Sequence, residues 1–209
     1  MSVGGRSPRT RSAQLLGGAL AGPLFVAAFT AIGAARPGYD WRRHAVSSLS
    51  IGPHGWQQRT NFIVTGVLYS CAAAGLARSE RPRAVPALVA GVGIGLIGSG
   101  LFVTDYVGDA APTERTRAGL IHDLFGIPVF AGIPIAGLAS ATAAARSRDY
   151  RWACYSAASS AAMVGSFALM GAAIRGRPRY RGKSGVFQRI SIASGFGWLT
   201  ALSLRGLSR

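Results

Sequence analysis

Six stretches of this chain are apolar and almost free of charge: Ala13–Ala35, Thr60–Ala77, Ala84–Val103, Leu124–Ala145, Trp152–Ile174 and Gly185–Leu204. Each is close to the roughly 20 residues that a helix needs to cross a hydrocarbon core. In lipid a backbone must satisfy its own polar groups, so a helix is the expected form of each run. The pattern predicts an all-α, polytopic transmembrane bundle of six helices, at 13–35, 60–77, 84–103, 120–145, 152–174 and 185–204. They form a single six-helix membrane domain over 13–205, preceded by a basic disordered tail over 1–12. Arg6, Arg9 and Arg11 before an apolar run look like a signal peptide. The run is longer than the ~7–15 apolar residues of such a signal, so an uncleaved first helix is expected.

The connections are uneven. The first, Arg36 to Arg59, is long. Asp40 is a plausible N-cap for a short amphipathic helix from Trp41 to Ser50, which Gly52-Pro53 would stop. On such a helix Trp41, Ala45 and Leu49 share one stripe, and His44, Ser47 and Ser48 another. It would lie at the membrane interface over the bundle mouth, with Trp56 as an anchor. The second and fourth connections, 78–83 and 146–151, are tight basic turns. The third, 104–119, carries Asp105, Asp109 and Glu114, and the fifth, 175–184, is polybasic. In the third run Ala87, Gly91, Gly95 and Ser99 recur every four residues, a small-residue seam for close helix approach, within one chain or in a homo-oligomer. Gly93-x-Gly95-x-x-Gly98 imitates a dinucleotide fingerprint, but a continuous membrane helix lacks the strand that motif requires. Pro128 and Pro134 predict a kink in the fourth helix.

Charge adds orientation and excludes one partner class. The chain has 23 basic and 7 acidic residues, a formal net charge of +16. The arginines stand at the ends of apolar runs, where they meet lipid phosphates and water. No basic stripe interleaved with aromatics occurs, so nucleic acid is not an expected partner. Arginine outnumbers lysine 22 to 1 among the 23, beside abundant Ala and Gly, which suggests a bacterial coding bias. Basic residues divide almost evenly between the two sides. The short even turns are uniformly basic and the acidic loop lies opposite, so both termini are placed in the cytoplasm and the protein in the cell (plasma) membrane. Cys71 and Cys154 lie inside apolar runs and are read as small packing residues.

Unusual polar residues collect on one side. The odd connections and adjoining helix ends hold His44, His54, His122, Asp105, Asp123 and Arg189. The other side has arginines with Glu80 and Asp149 and reads as plain anchoring. An ionisable group inside a span usually faces the bundle interior and has a partner. Arg189 is expected to pair with Asp105 or Asp123, the alternative being snorkelling to the headgroups. The leading reading is a polar pocket of Arg43, His44, Ser47, Ser48, Asp105, His122 and Arg189. Its guanidinium forks would hold the phosphate or carboxylate of an anionic membrane lipid or small ligand. No cofactor is required. The alternative is a membrane-embedded hydrolase of a lipid amide or ester, with zinc on His44, Asp105 and His122 and water in the open position. Haem or transport roles have weaker support, with three histidines and no visible half-repeat. Whether the protein is an enzyme the sequence leaves open.

Several of these residues fall in a known pattern. Arg42-Arg43-His44-Ala-Val-Ser47-Ser48-Leu49, then Gly52-Pro-His-Gly55-Trp56-Gln57-Gln58-Arg59, resembles the opening loop of the domain of unknown function 998 family. Gly100-Leu-Phe102-Val-Thr104-Asp105, Gly119-Leu-Ile-His122 and Gln188-Arg189 before Gly195-x-x-Trp198 follow in the same order. The resemblance covers residues 14–205. It implies a six-helix prokaryotic membrane protein without an established activity. Its recurrent polar positions would be Arg43, His44, Ser47, Asp105, His122 and Arg189, with Gln188 where the family has a glutamate.

Overall fold

The computed structural model describes residues 8–80, 82–107 and 114–208. Residues 1–7 of the tail, Arg81, Asp109 and Arg209 lie outside the described residues. The apolar runs form six long helices: α1 (Pro8–Ala35), α2 (Gly55–Leu76), α3 (Ala84–Leu101), α4 (Arg117–Arg146), α5 (Tyr150–Ile174) and α6 (Ser184–Leu207). Short 3-10 turns stand at Ser47–Ser50 and Pro178–Tyr180. Among the described residues, α1, α3, α4 and α5 are long and apolar enough to cross a membrane. The protein is an all-α membrane protein.

Each helix packs on its neighbours in sequence, and α1 closes the ring against α6. The centre is aromatic. Phe25 of α1 meets Phe62 of α2 at 5.4 Å and Phe196 of α6 at 5.1 Å between ring centroids. Trp198 of α6 is buried, and its indole N–H donates to Ser156 Oγ of α5 at 2.9 Å. A buried indole needs such a partner, because an unmet donor in an apolar interior is costly.

The small residues of α3 act within the chain. A Cβ at Gly66 of α2 would stand 2.6 Å from the Gly93 carbonyl, and one at Gly95 would stand 2.5 Å from the Phe125 carbonyl of α4. Glycines therefore line two faces of α3, one toward α2 and one toward α4. Cys71 and Cys154 are exposed on the outer surface rather than packed inside.

Three expectations about elements are corrected or refined. The first helix starts at Pro8, so residues 8–12 are not part of a disordered tail. Proline is well suited to a first helical turn. Arg11 then anchors that turn, donating to Ser79 Oγ and the Gly206 carbonyl, both at 2.7 Å. The disturbance expected at the prolines of the fourth helix is a local change of helix type. It widens into a π turn over Pro128–Gly132 and continues, which accommodates the two backbone N–H donors missing at Pro128 and Pro134.

The third correction concerns the first connection. No helix runs from Trp41 to Ser50. Asp40 caps a single turn, accepting from Arg42 N–H at 2.9 Å, and the chain then becomes irregular up to Ser47–Ser50. Its hydrogen-bonding groups are taken by distant parts of the molecule. Ala45 N–H donates to the Val107 carbonyl at 3.0 Å, and Val46 N–H to Gln188 Oε1 at 2.6 Å. Val186 N–H donates to the Arg42 carbonyl at 3.1 Å, and Ser184 Oγ to the Arg43 carbonyl at 2.5 Å. Ser48 Oγ donates to the Val107 carbonyl at 3.0 Å and accepts from Val107 N–H at 3.2 Å. The segment is thus a buried cap that ties the first, third and fifth connections together on one side of the bundle.

Candidate functional site

The expected polar pocket resolves into three separate places. The first is a clamp around Arg189. Its Nη1 donates to the carbonyls of Trp41 at 2.6 Å, His44 at 3.1 Å and Gly185 at 3.0 Å, and its Nη2 to Tyr39 Oη at 2.6 Å. It pairs with neither Asp105 nor Asp123, which corrects the expected ion pair. The reason lies in the first connection. Without a helix there, the Trp41 and His44 carbonyls lack helical donors, and the guanidinium fork supplies them. Burial raises the Tyr39 pKa, against the opposing effect of Arg189. His44 is part of this clamp. Its Nδ1 accepts from Asp40 N–H at 3.1 Å, and its ring meets Tyr39 and Tyr106, each at 5.4 Å. Arg43 is exposed nearby.

The second place is the entry to α4. Asp105 accepts from Thr116 N–H at 3.1 Å and Thr116 Oγ1 at 2.7 Å. Thr116 in turn caps α4, accepting from Gly119 N–H at 3.0 Å. Arg115 lies 3.4 Å from Asp105 and forms an ion pair with Asp123. The Thr116 hydrogen bonds, with Arg115 close by, hold the Asp105 carboxyl below the usual aspartate range.

The third place is a crevice. The first half of α4 packs on α3, whereas its second half also packs on α5. The helices therefore splay toward the side of the first connection and leave a half-open cavity of about 780 Å³. That volume lies in the range of small-molecule sites. Ile127, Ile135 and Leu138 of α4 face Val164 and Phe167 of α5 across it, and all five are also about half exposed at the apolar outer surface. Phe130 and Phe167 stack at 4.4 Å within its wall. The crevice is therefore open along the apolar outer surface of α4 and α5.

Its other end is polar. Ser47 of the cap, Ser99 of α3, His122 of α4 and Gln188 of α6 line it, each more than nine-tenths buried. His122 Nδ1 faces the carbonyls of Ser99 at 3.0 Å and Phe102 at 2.9 Å. Both are acceptors, so Nδ1 carries a hydrogen. Arg115, Asp123 and Thr104 stand at the rim.

The structure thus brings Ser47 and His122 together with two residues that the sequence reading did not assign to a site, Ser99 and Gln188. It sets Arg43, His44 and Arg189 apart from them, and it uses Ser48 and Asp105 to hold connections in place. The zinc triad of His44, Asp105 and His122 does not assemble. Among the described residues no three His, Cys, Asp or Glu side chains converge. His44 and His122 each commit Nδ1 to backbone, and Asp105 is taken by Thr116 and Arg115. Arg115, in the loop read as acidic, also escaped notice, because its role depends on Asp105 and Asp123 lying beside it.

The opposite side is more than anchoring. Arg205 forms a 2.6 Å ion pair with Asp149, Trp152 Nε1 donates to Ser140 Oγ at 2.8 Å, and Glu80 is buried. Glu80, Ser140, Trp152 and Arg205 line a hollow of about 240 Å³, and the Arg205–Asp149 pair ties the fourth connection to the end of α6.

The family model for a protein of unknown function, DUF998, matches residues 19–205. The chain belongs to that family. The DUF998 match takes in all or part of each of the six helices, the cap and the residues that line the crevice. No curated protein and no solved structure matches the chain.

Proposed function

We propose that this DUF998 protein binds a membrane amphiphile in the crevice between α4 and α5. The carrying observation is the gradient along that cavity, lined by half-exposed apolar side chains at one end and by buried polar ones at the other. A long chain would lie between Ile135, Leu138, Val164 and Phe167. The polar group would meet Ser47, Ser99, His122 and Gln188. Binding needs no cofactor, because it rests on apolar burial and a few directed hydrogen bonds. This moves the ligand site away from Arg43, His44 and Arg189, whose clamp braces the cap above it.

We further place the protein in the cell membrane of a bacterium with both termini in the cytoplasm. The basic turns at Arg78, Arg83, Arg146 and Arg148 support that orientation, and the polar end of the crevice would then face the outer leaflet. Cysteines introduced at Ser208 and Gly38 would label from opposite sides of sealed vesicles; labelling from one side would refute the arrangement.

Gly126 lines the crevice, and a Cβ there meets no atom within 4 Å. Gly126→Phe would occupy the space without disturbing the helix contacts. Wild-type protein purified in mild detergent is expected to retain an extractable amphiphile, identified by mass spectrometry, that Gly126→Phe loses while keeping its fold. Equal retention by both would sink the proposal.

A further inference from the structure

The polar end of the crevice also constrains the chemistry of the head that enters it. Charge is one constraint. Among the described residues that line the cavity, Arg115 is the sole cation, and it lies between the carboxylates of Asp105 and Asp123. The rim therefore carries one positive and two negative groups. An anionic head would find no cation to itself there, and burying a charge without a partner is strongly disfavoured.

Hydrogen-bonding capacity is the other constraint. Ser47 Oγ and Ser99 Oγ line the cavity with no hydrogen bond to protein, yet neither is a sealed, unsatisfied atom. Gln188 commits its Oε1 to Val46 N–H at 2.6 Å, which leaves its amide N–H₂ as donor. His122 commits Nδ1–H to the two carbonyls, so in the neutral ring Nε2 is an acceptor. Four buried side chains from four elements thus present uncharged donors and one fixed acceptor to the same cavity.

We infer that the occupant is a long-chain amphiphile with a neutral hydroxyl head, whose O–H donates to His122 Nε2 and whose oxygen accepts from the serine hydroxyls or Gln188. The inference rests on the crevice reading above and narrows it to one class. It replaces the anionic ligand expected from the arginines.

The test uses full-length protein in phosphatidylcholine nanodiscs, with energy transfer from tryptophan to a pyrene-labelled long-chain alcohol. Displacement is compared for hexadecanol, hexadecyl methyl ether and hexadecyl sulfate, which share one chain and differ in the head. Hexadecanol is expected to displace the probe. The ether cannot donate and should be about five-fold weaker, and the permanently charged sulfate about ten-fold weaker or more. Ser47→Ala with Ser99→Ala removes hydroxyls that brace nothing in the protein. It should weaken the alcohol by about five- to ten-fold without lowering the melting temperature.

Sulfate binding as tight as alcohol would overturn the neutral-head assignment and leave the crevice reading standing. Ether equal to alcohol would overturn the role of His122 as acceptor. Failure of all three competitors, with the same probe signal from Gly126→Phe as from wild type, would overturn both readings.

Discussion

Replacing Arg189 tests how the cap is held. Arg189→Ala removes the donors to the Trp41 and His44 carbonyls and to Tyr39 Oη. The Gly185 bond matters less, because that carbonyl lies within α6. The His44 carbonyl retains Tyr39 Oη at 3.3 Å, and water reaches Trp41, so each lost bond is worth the lower end of the range, about 1 kcal/mol. Three such bonds give about 3 kcal/mol in the opening of the first connection, roughly a hundred-fold in its open population at 1.4 kcal/mol per ten-fold. Arg189→Lys keeps a point charge and one or two bonds, so its effect should be about ten-fold. Arg42 and Arg43 provide a built-in readout, because trypsin cleaves after arginine and both are exposed. When opening is fast relative to cleavage, the cleavage rate follows the open population. The expected order of cleavage at 42–43 is wild type, then Lys, then Ala, with cleavage at Arg78 in the opposite turn unchanged. Equal rates in all three proteins would refute the clamp and favour snorkelling of Arg189 to the headgroups.

Three further outcomes are expected. Gly66→Ala puts a methyl 2.6 Å from the Gly93 carbonyl, forcing α2 and α3 apart at a cost of about 1–3 kcal/mol, read as a lower melting temperature in detergent. Ser156→Ala leaves the buried Trp198 indole N–H without its acceptor and should cost about 1–3 kcal/mol, with a shift in tryptophan emission; an unchanged melting temperature would contradict that bond. The Asp105 pKa is lower in the folded protein than its ordinary 3.8, so its contribution is complete above that value and disappears as pH falls through the lowered one. The melting-temperature gap between wild type and Asp105→Asn should therefore be constant at neutral pH and close in strong acid. A gap that grew on acidification would reverse the sign and refute the assignment.

Much of the architecture was legible along the chain. Long uncharged runs require helices in lipid, and their number, order and helical cores follow from that requirement alone. The gathering of the odd connections on one side followed from counting crossings. The prolines of α4 marked a disturbance, although its form as a π turn depends on neighbouring helices. The first connection was misread because His44, Ser47 and Ser48 repeat at a helical spacing. Periodicity reports which face would be polar if a helix formed, but not whether a more favourable set of hydrogen-bond partners lies elsewhere. Val107, Ser184 and Gln188 supply that set, 59, 141 and 142 residues away from their partners Ser48, Arg43 and Val46.

The candidate site shows the same division. Sequence by itself determined that the chain is an apolar helical bundle with its histidines and mixed charges toward one side, because hydropathy and span count act locally and add up along the chain. Tertiary structure alone decided which polar residues meet. Arg189 joined backbone carbonyls instead of a carboxylate, the zinc triad stayed apart, and Ser99 and Gln188 joined Ser47 and His122 in one cavity. A hydrogen bond depends on distances of about 3 Å and on direction. Those are fixed only when three helices and a cap are packed together, and no spacing along one helix encodes them.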